Sequence, residues 1–154
     1  WDKVYRYTRS RIKWHKEEGH MIFFISGAPD FLVEKMAEKY QVTAYRATQY
    51  IVDKNNNFTG RVISMWDSEN KQKAIRELVD QYQVDLDQSF SYGDTTGDLS
   101  MLKIVGHPVA INPVKKLLMA IKEDEELYKK TTVIVERKDL IYELSPSVKL
   151  VELD

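Results

Sequence analysis

Met21-Ile22-Phe23-Phe24-Ile25 is a continuous apolar run of strand length, and it constrains the fold more than any other stretch. A strand buried on both faces reads this way, and such strands belong to parallel sheets covered by helices. The run leads into Ser26-Gly27-Ala28-Pro29-Asp30, after which Phe31, Leu32, Val33, Met36, Ala37 and Tyr40 recur at helical spacing. The reading is a strand, a tight glycine turn and a helix whose first turn holds Pro29, where a missing N–H does no harm. Backbone N–H groups and the positive end of the helix dipole make that junction suited to an anion, and an N-cap serine is the structural alternative.

The same alternation recurs downstream. Ala74, Ile75, Leu78, Val79 and Tyr82 line one face of a helix that Asp67 or Ser68 would cap. Lys71 and Lys73 fall in its first turns, where the dipole disfavours cations unless they serve a bound anion. Ser89 to Tyr92 reads as a short strand ending in Gly93-Asp94-Thr95-Thr96-Gly97-Asp98, with the apolar turn Leu99-Ser100-Met101-Leu102 behind it. A carboxylate at a strand's end, with a second at the next helix's start, suits a hard divalent cation. Val109-Ala110-Ile111 reads as the next strand, followed by Asn112-Pro113 and a helix carrying Val114, Leu117, Leu118 and Ile121. Thr131 to Val135 is a last strand, and Leu140 to Leu144 reads as a short terminal helix. Alternating strands and helices imply a parallel sheet, whose ligands bind at the carboxyl ends of the strands. Ser26 and Asp94 both lie at such ends.

Two segments depart from the alternation. Val42 to Ala44, Tyr50 to Val52 and Phe58 to Ile63 are β-like, with Asp53 to Asn57 as a turn, so a hairpin or flap is expected as an insertion over about 43–66. The asparagines there lack the glycine and terminal glutamate of a calcium loop. Residues 1–18 read as a charged helix whose Trp1, Val4, Tyr5, Ile12 and Trp14 share a flank, stopped by Gly19. Its basic residues are read as a solvated face. His15 and His20 lack the spacing of a metal pair and are assigned no role.

Bulk properties narrow the class. The chain has 154 residues, enough for one α/β domain. With 23 Lys+Arg against 24 Asp+Glu, the net charge of -1 argues against broad nucleic-acid binding. Without cysteine there is no disulfide or thiolate chemistry, which fits a reducing cytoplasm. No apolar run approaches the roughly 20 residues of a membrane span. The sequence starts at Trp1, inside the first helix, so it is expected to be a fragment.

The ordered set Phe24-Ile25-Ser26-Gly27, then Lys71 ahead of Ala74-Ile75, then Tyr92-Gly93-Asp94-Thr95-Thr96-Gly97-Asp98-Leu99, with Ala110-Ile111-Asn112-Pro113 behind it, resembles the haloacid dehalogenase (HAD) superfamily. It is most similar to the phosphoserine-phosphatase-like branch. The resemblance runs from Gly19 to Leu144. It implies a three-layer Rossmann-like α/β core over 19–154, with 1–18 as the end of a helical cap or a linking helix. It implies a Mg²⁺-dependent phosphomonoester hydrolase acting on a small phosphorylated metabolite through an aspartyl-phosphate. On the family pattern Ser26 and the Gly27 N–H bind phosphate, and Lys71 neutralises phosphate and nucleophile. Asp94 ligates Mg²⁺ directly, and Asp98 holds it through water or orients its shell.

One family element is absent. A strand ending in Asp-x-Asp should precede Met21 and supply both nucleophile and general acid/base. Asp85-Leu86-Asp87 does not replace it, because Gln81 to Val84 is no buried strand. The expectation is therefore that the nucleophile lies upstream of Trp1 on the sheet's central strand, and that the gap between the unpaired edges of the two neighbouring strands holds a separate peptide, a swapped strand or a rearranged sheet. This segment alone is then inactive. The alternatives are a phosphotransferase of the same fold and a catalytically inactive interaction or regulatory module.

Overall fold

The computed structural model describes residues 4–153. The chain divides into two compact units, Trp1–Ala74 and Ile75–Asp154. In the first, α1 spans Arg6–Glu17. The expected flank residue Trp1 lies outside the described residues, while Ile12 is buried as the pattern required. Gly19, at φ 75°, ends the helix in the left-handed region, and the His20 N–H returns to the His15 carbonyl at 2.9 Å. This is the doubling-back that glycine permits after a helix.

β1 spans Phe23–Pro29 and runs parallel to β2, Ala44–Val52, which pairs antiparallel with β3, Phe58–Ile63. α2, Asp30–Tyr40, lies between β1 and β2 in sequence and buries Val33 and Ala37. Of the two β-like pieces expected at 42–44 and 50–52, Ala44 and residues 50–52 are the ends of one strand, and Val42 and Thr43 precede it. Residues 44–48 of β2 pair with β1 and residues 49–52 with β3, so the hairpin grows out of the sheet instead of interrupting it. Its turn is an Asx turn: the Asp53 Oδ1 accepts from the N–H groups of Asn55 (2.8 Å) and Asn57 (3.0 Å). β1 is half-buried, short of the two-sided burial its apolar run implies. Among the described residues only β2 pairs with it.

α3, Ser68–Tyr82, buries Ala74, Ile75 and Leu78, the face read from their spacing. Past Ala74 the second unit carries a four-stranded sheet in the order β4 (Phe90–Gly93), β5 (His107–Ile111), β6 (Thr132–Arg137) and β7 (Leu140–Leu144). The first two pairings are parallel and the last antiparallel. α4 (Leu99–Lys103), α5 (Lys115–Glu123) and α6 (Glu125–Lys130) accompany it. The core cluster is Leu102, Ala110, Leu117, Ile121 and Leu127, each at most 1% exposed. Such burial on this scale is the main term holding a domain of this size together.

The terminal helix expected over 140–144 is a correction. That segment is β7, joined to β6 by Lys138-Asp139 with Lys138 at φ 52°. A two-residue loop with a left-handed residue matches the twist of a hairpin, and the closing pair Arg137–Leu140 sets the register. β1 and β4 belong to different sheets, and each has a strand neighbour on one side only among the described residues.

Candidate active site

The carboxylate loop is built at the carboxyl end of β4. Asp98 is 5% exposed, and its Oδ2 accepts from the backbone N–H of Asp94 at 3.0 Å and of Thr95 at 3.2 Å. The Thr95 hydroxyl accepts in return from the Asp98 N–H, a reciprocal capping box around the turn Thr96–Asp98. A carboxylate taking two amides in this way is a strong, charge-assisted clamp. The preceding residue must be glycine, because a Cβ on Gly93 would sit 2.5 Å from the Asp98 Cβ and 2.8 Å from its Oδ2.

Asp94 is also braced from behind. Its carbonyl accepts from the Val114 N–H at 2.9 Å. Asn112 sets that approach: it stands at φ 42°, its N–H donates to the Ile134 carbonyl at 2.7 Å, and its Oδ1 accepts from the Glu136 N–H at 2.9 Å. Asn is among the few residues that adopt the left-handed region cheaply. Asp94 is thus fixed by its own N–H on one side and its carbonyl on the other. Asp98 is engaged with the loop backbone through both of these amides.

Ser26 and Gly27 lie in the first unit, where the β1–β2 ladder breaks. Ser26 pairs with Ala47 and Pro29 with Thr48, so Gly27 and Ala28 bulge from the register. Bulges re-aim side chains and occur beside functional sites. The Ser26 Oγ accepts from the Ala28 N–H at 3.1 Å. The junction differs from the expected tight turn: the strand continues to Pro29, which is the N-cap of α2 at φ -56° and ψ 140°, and the helix begins at Asp30.

Lys71 lies in the first turns of α3 and is 7% exposed, while Lys73 is exposed. A lysine is rarely this buried unless it is paired, and Lys71 is the one singled out by its position ahead of Ala74-Ile75. The helix start is secured by Asp67, whose Oδ1 accepts from the Asn70 N–H at 2.8 Å. Ser26, Gly27 and Lys71 belong to the first unit; Asp94 and Asp98 belong to the second.

Two features escaped the sequence reading. Trp66 donates its indole N–H to the Gly27 carbonyl at 2.9 Å, and its Cδ1 lies 2.8 Å from where a Gly27 Cβ would be. A lone tryptophan after a hairpin carries no pattern that reveals this. His15 and His20 meet with their Nδ1 atoms 2.9 Å apart, although five residues separate them. The return after Gly19 brings them together, and helical spacing alone would not. Burial first, then the charges of Arg11 and His20, push the His15 pKa down to about 4.

Among the described residues, no three His, Cys, Asp or Glu side chains converge on one point. A cation bound by one or two carboxylates, waters and substrate phosphate needs no such cluster, and Mg²⁺ is bound in this way. The all-oxygen donor set and the rigid backbone of Asp94 fit Mg²⁺ as a partial site. No helix among the described residues is long and apolar enough to cross a membrane.

The chain is similar to several known proteins. The haloacid dehalogenase-like hydrolase family matches residues 2–103. The "inhibition of morphological differentiation protein" of Streptomyces azureus is 32% identical over 114 residues, covering 74% of this chain and 41% of that protein. Phosphoserine phosphatase SerB1 of Mycobacterium tuberculosis is 28% identical over 123 residues, covering 79% of this chain and 40% of that protein. A solved phosphoserine phosphatase in apo form superposes with a TM-score of 0.60 at 25% identity, covering 68% of this chain and 52% of that one. The chain thus spans about two fifths of the length of these two curated relatives. With the matched segment running from the first helix through the Asp94–Asp98 loop, the chain belongs to the haloacid dehalogenase-like hydrolase family.

Proposed function

We propose that the intact protein is a Mg²⁺-dependent phosphomonoesterase for a small phosphorylated metabolite, working in the cytoplasm through an aspartyl-phosphate. The observation that carries this reading is the clamp of Asp98 on the Asp94 N–H, which holds the Asp94 backbone at the end of a parallel strand. Asp94 would hold Mg²⁺ directly, with Asp98 keeping its geometry. Bound there, the ion would supply charge neutralisation and Lewis-acid polarisation of the phosphoryl group.

The chain's own residues bind and orient. The Ser26 hydroxyl and the Gly27 N–H take phosphoryl oxygens, and Lys71 offsets the negative charge gathered around them. A fixed ammonium and fixed donors stabilise charge without reorganising, which is where such sites gain most of their rate. The nucleophile and the general acid/base are assigned to an Asp-x-Asp strand outside this sequence. An added strand would satisfy an open strand edge such as that of β1, which has one strand neighbour among the described residues. The helix α1 would then be the end of a helical cap or a linking helix.

Two observations test the reading. The sequence upstream of Trp1 should encode four apolar residues followed by Asp-x-Asp. The intact protein should hydrolyse an aryl phosphate when Mg²⁺ is present and not when it is chelated. An intact protein lacking that motif, or one inert with Mg²⁺, would favour a non-catalytic module.

A further inference from the structure

We infer that Trp66 is a positioning residue for the Ser26 hydroxyl, acting across the Gly27–Ala28 peptide. The inference rests on the phosphatase reading, and it concerns a residue outside the family's ordered motifs.

A peptide bond is planar and trans, so its C=O and N–H point in opposite directions and turn together. In the Gly27–Ala28 peptide, the carbonyl accepts from the Trp66 indole at 2.9 Å and the N–H donates to the Ser26 Oγ at 3.1 Å. Holding the carbonyl therefore holds the amide, and the amide fixes the Ser26 hydroxyl rotamer. The constraint is needed because Gly27 and Ala28 bulge from the β1–β2 ladder and lack its regular pairing. A glycine in a bulge is the least restrained position a backbone can offer.

Trp66 is itself tied down. The Met65 N–H donates to the Oγ1 of Thr48, which is fully buried on β2 beside the bulge, and Asp67 caps α3 immediately afterwards. The indole lies against Gly27 closely enough that a Cβ there would meet its Cδ1 at 2.8 Å. At 58% exposure, Trp66 owes its place to this contact more than to burial in a core. Two hydrogen bonds in series thus link Trp66 to Ser26, and they account for an exposed tryptophan at this position.

The test is a cycle in the intact protein with Trp66→Phe, Ser26→Ala and the double variant, read as Mg²⁺-dependent hydrolysis of an aryl phosphate. Loss of one donor should lower kcat/KM by about 3- to 10-fold in Trp66→Phe, the scale of one net hydrogen bond. In the Ser26→Ala background the same change should cost less than about 2-fold, because the hydroxyl it serves is gone. Equal losses in both backgrounds would overturn the inference, as would an undiminished Trp66→Phe. If phenylalanine fails to fold there, 3-benzothienylalanine keeps the indole shape and removes only the N–H. It should reproduce the loss, and full activity with it would refute the role. A Ser26→Ala variant with full activity would instead overturn the phosphate-binding assignment of Ser26, which separates that failure from this one.

Discussion

Gly93→Ala should break the carboxylate clamp without replacing either aspartate. The new Cβ would lie 2.5 Å from the Asp98 Cβ and 2.8 Å from its Cγ and Oδ2. Ordinary carbon contacts begin near 3.5 Å, so Asp98 must retreat by about 1 Å. The bonds from the Asp94 and Thr95 N–H groups to Oδ2 start at 3.0 and 3.2 Å. A displacement of that size carries them towards about 4 Å, beyond hydrogen-bonding range. Each bond to a charged acceptor contributes about 1.5–3 kcal/mol. Relaxation of the loop recovers part of the loss, and alanine's smaller unfolded-state entropy offsets about 0.4–1 kcal/mol more. The net expectation is about 2–3 kcal/mol of destabilisation. Urea unfolding should show it as a midpoint lowered by roughly 1–1.5 M, for a slope near 2 kcal/mol/M. Because the nearest atom is the Asp98 Cβ, the control is Asp98→Gly, in which Gly93→Ala should cost under about 1 kcal/mol. A native-background cost below about 0.5 kcal/mol, or the same cost in both backgrounds, would refute the steric reasoning.

Acid should loosen the first unit through His15. Its folded pKa lies at about 4, below the unfolded value of 6.5, so the folded state holds fewer protons between them. The stabilisation is complete above pH 6.5, is lost as pH falls towards 4, and is flat below; His15→Gln should remove this slope from unfolding midpoints measured across pH 7 to 4. Thr48→Val should cost about 1–3 kcal/mol, because the Met65 N–H loses its acceptor in a shape-matched replacement. Thr48→Ser keeps that acceptor and should cost less in the same urea assay; the reverse order would contradict the assignment.

The parts of the fold that sequence revealed are those written in local patterns. Ala74, Ile75 and Leu78 recur on one helix face and are buried there, and Gly93-Asp94 with Asp98 four residues on is a self-contained loop held by its own backbone. The first half of β2 was hidden because Tyr45-Arg46-Ala47-Thr48 has neither an apolar run nor clean alternation; pairing with β1 makes it a strand. β7 was misread because a short mixed run is ambiguous between helix and strand, and the Lys138 turn decided it. Trp66 over Gly27 and His15 against His20 depend on a long-range return and a chain reversal. No fixed spacing encodes either contact.

The central claim is that Asp94 is the carboxylate on which phosphoryl chemistry depends. Its most direct measurement is the rate of aryl-phosphate hydrolysis by the intact protein and its Asp94→Asn variant across Mg²⁺ concentrations, with far-ultraviolet circular dichroism confirming the fold of each. The amide keeps the backbone bonds to Asp98 and Val114 while removing the charge. Asp94→Asn should lower kcat by at least about 10²-fold, the scale of removing one preorganised charge-stabilising group, and should abolish the dependence on Mg²⁺. A folded Asp94→Asn protein that retains wild-type turnover and wild-type Mg²⁺ dependence would contradict the account.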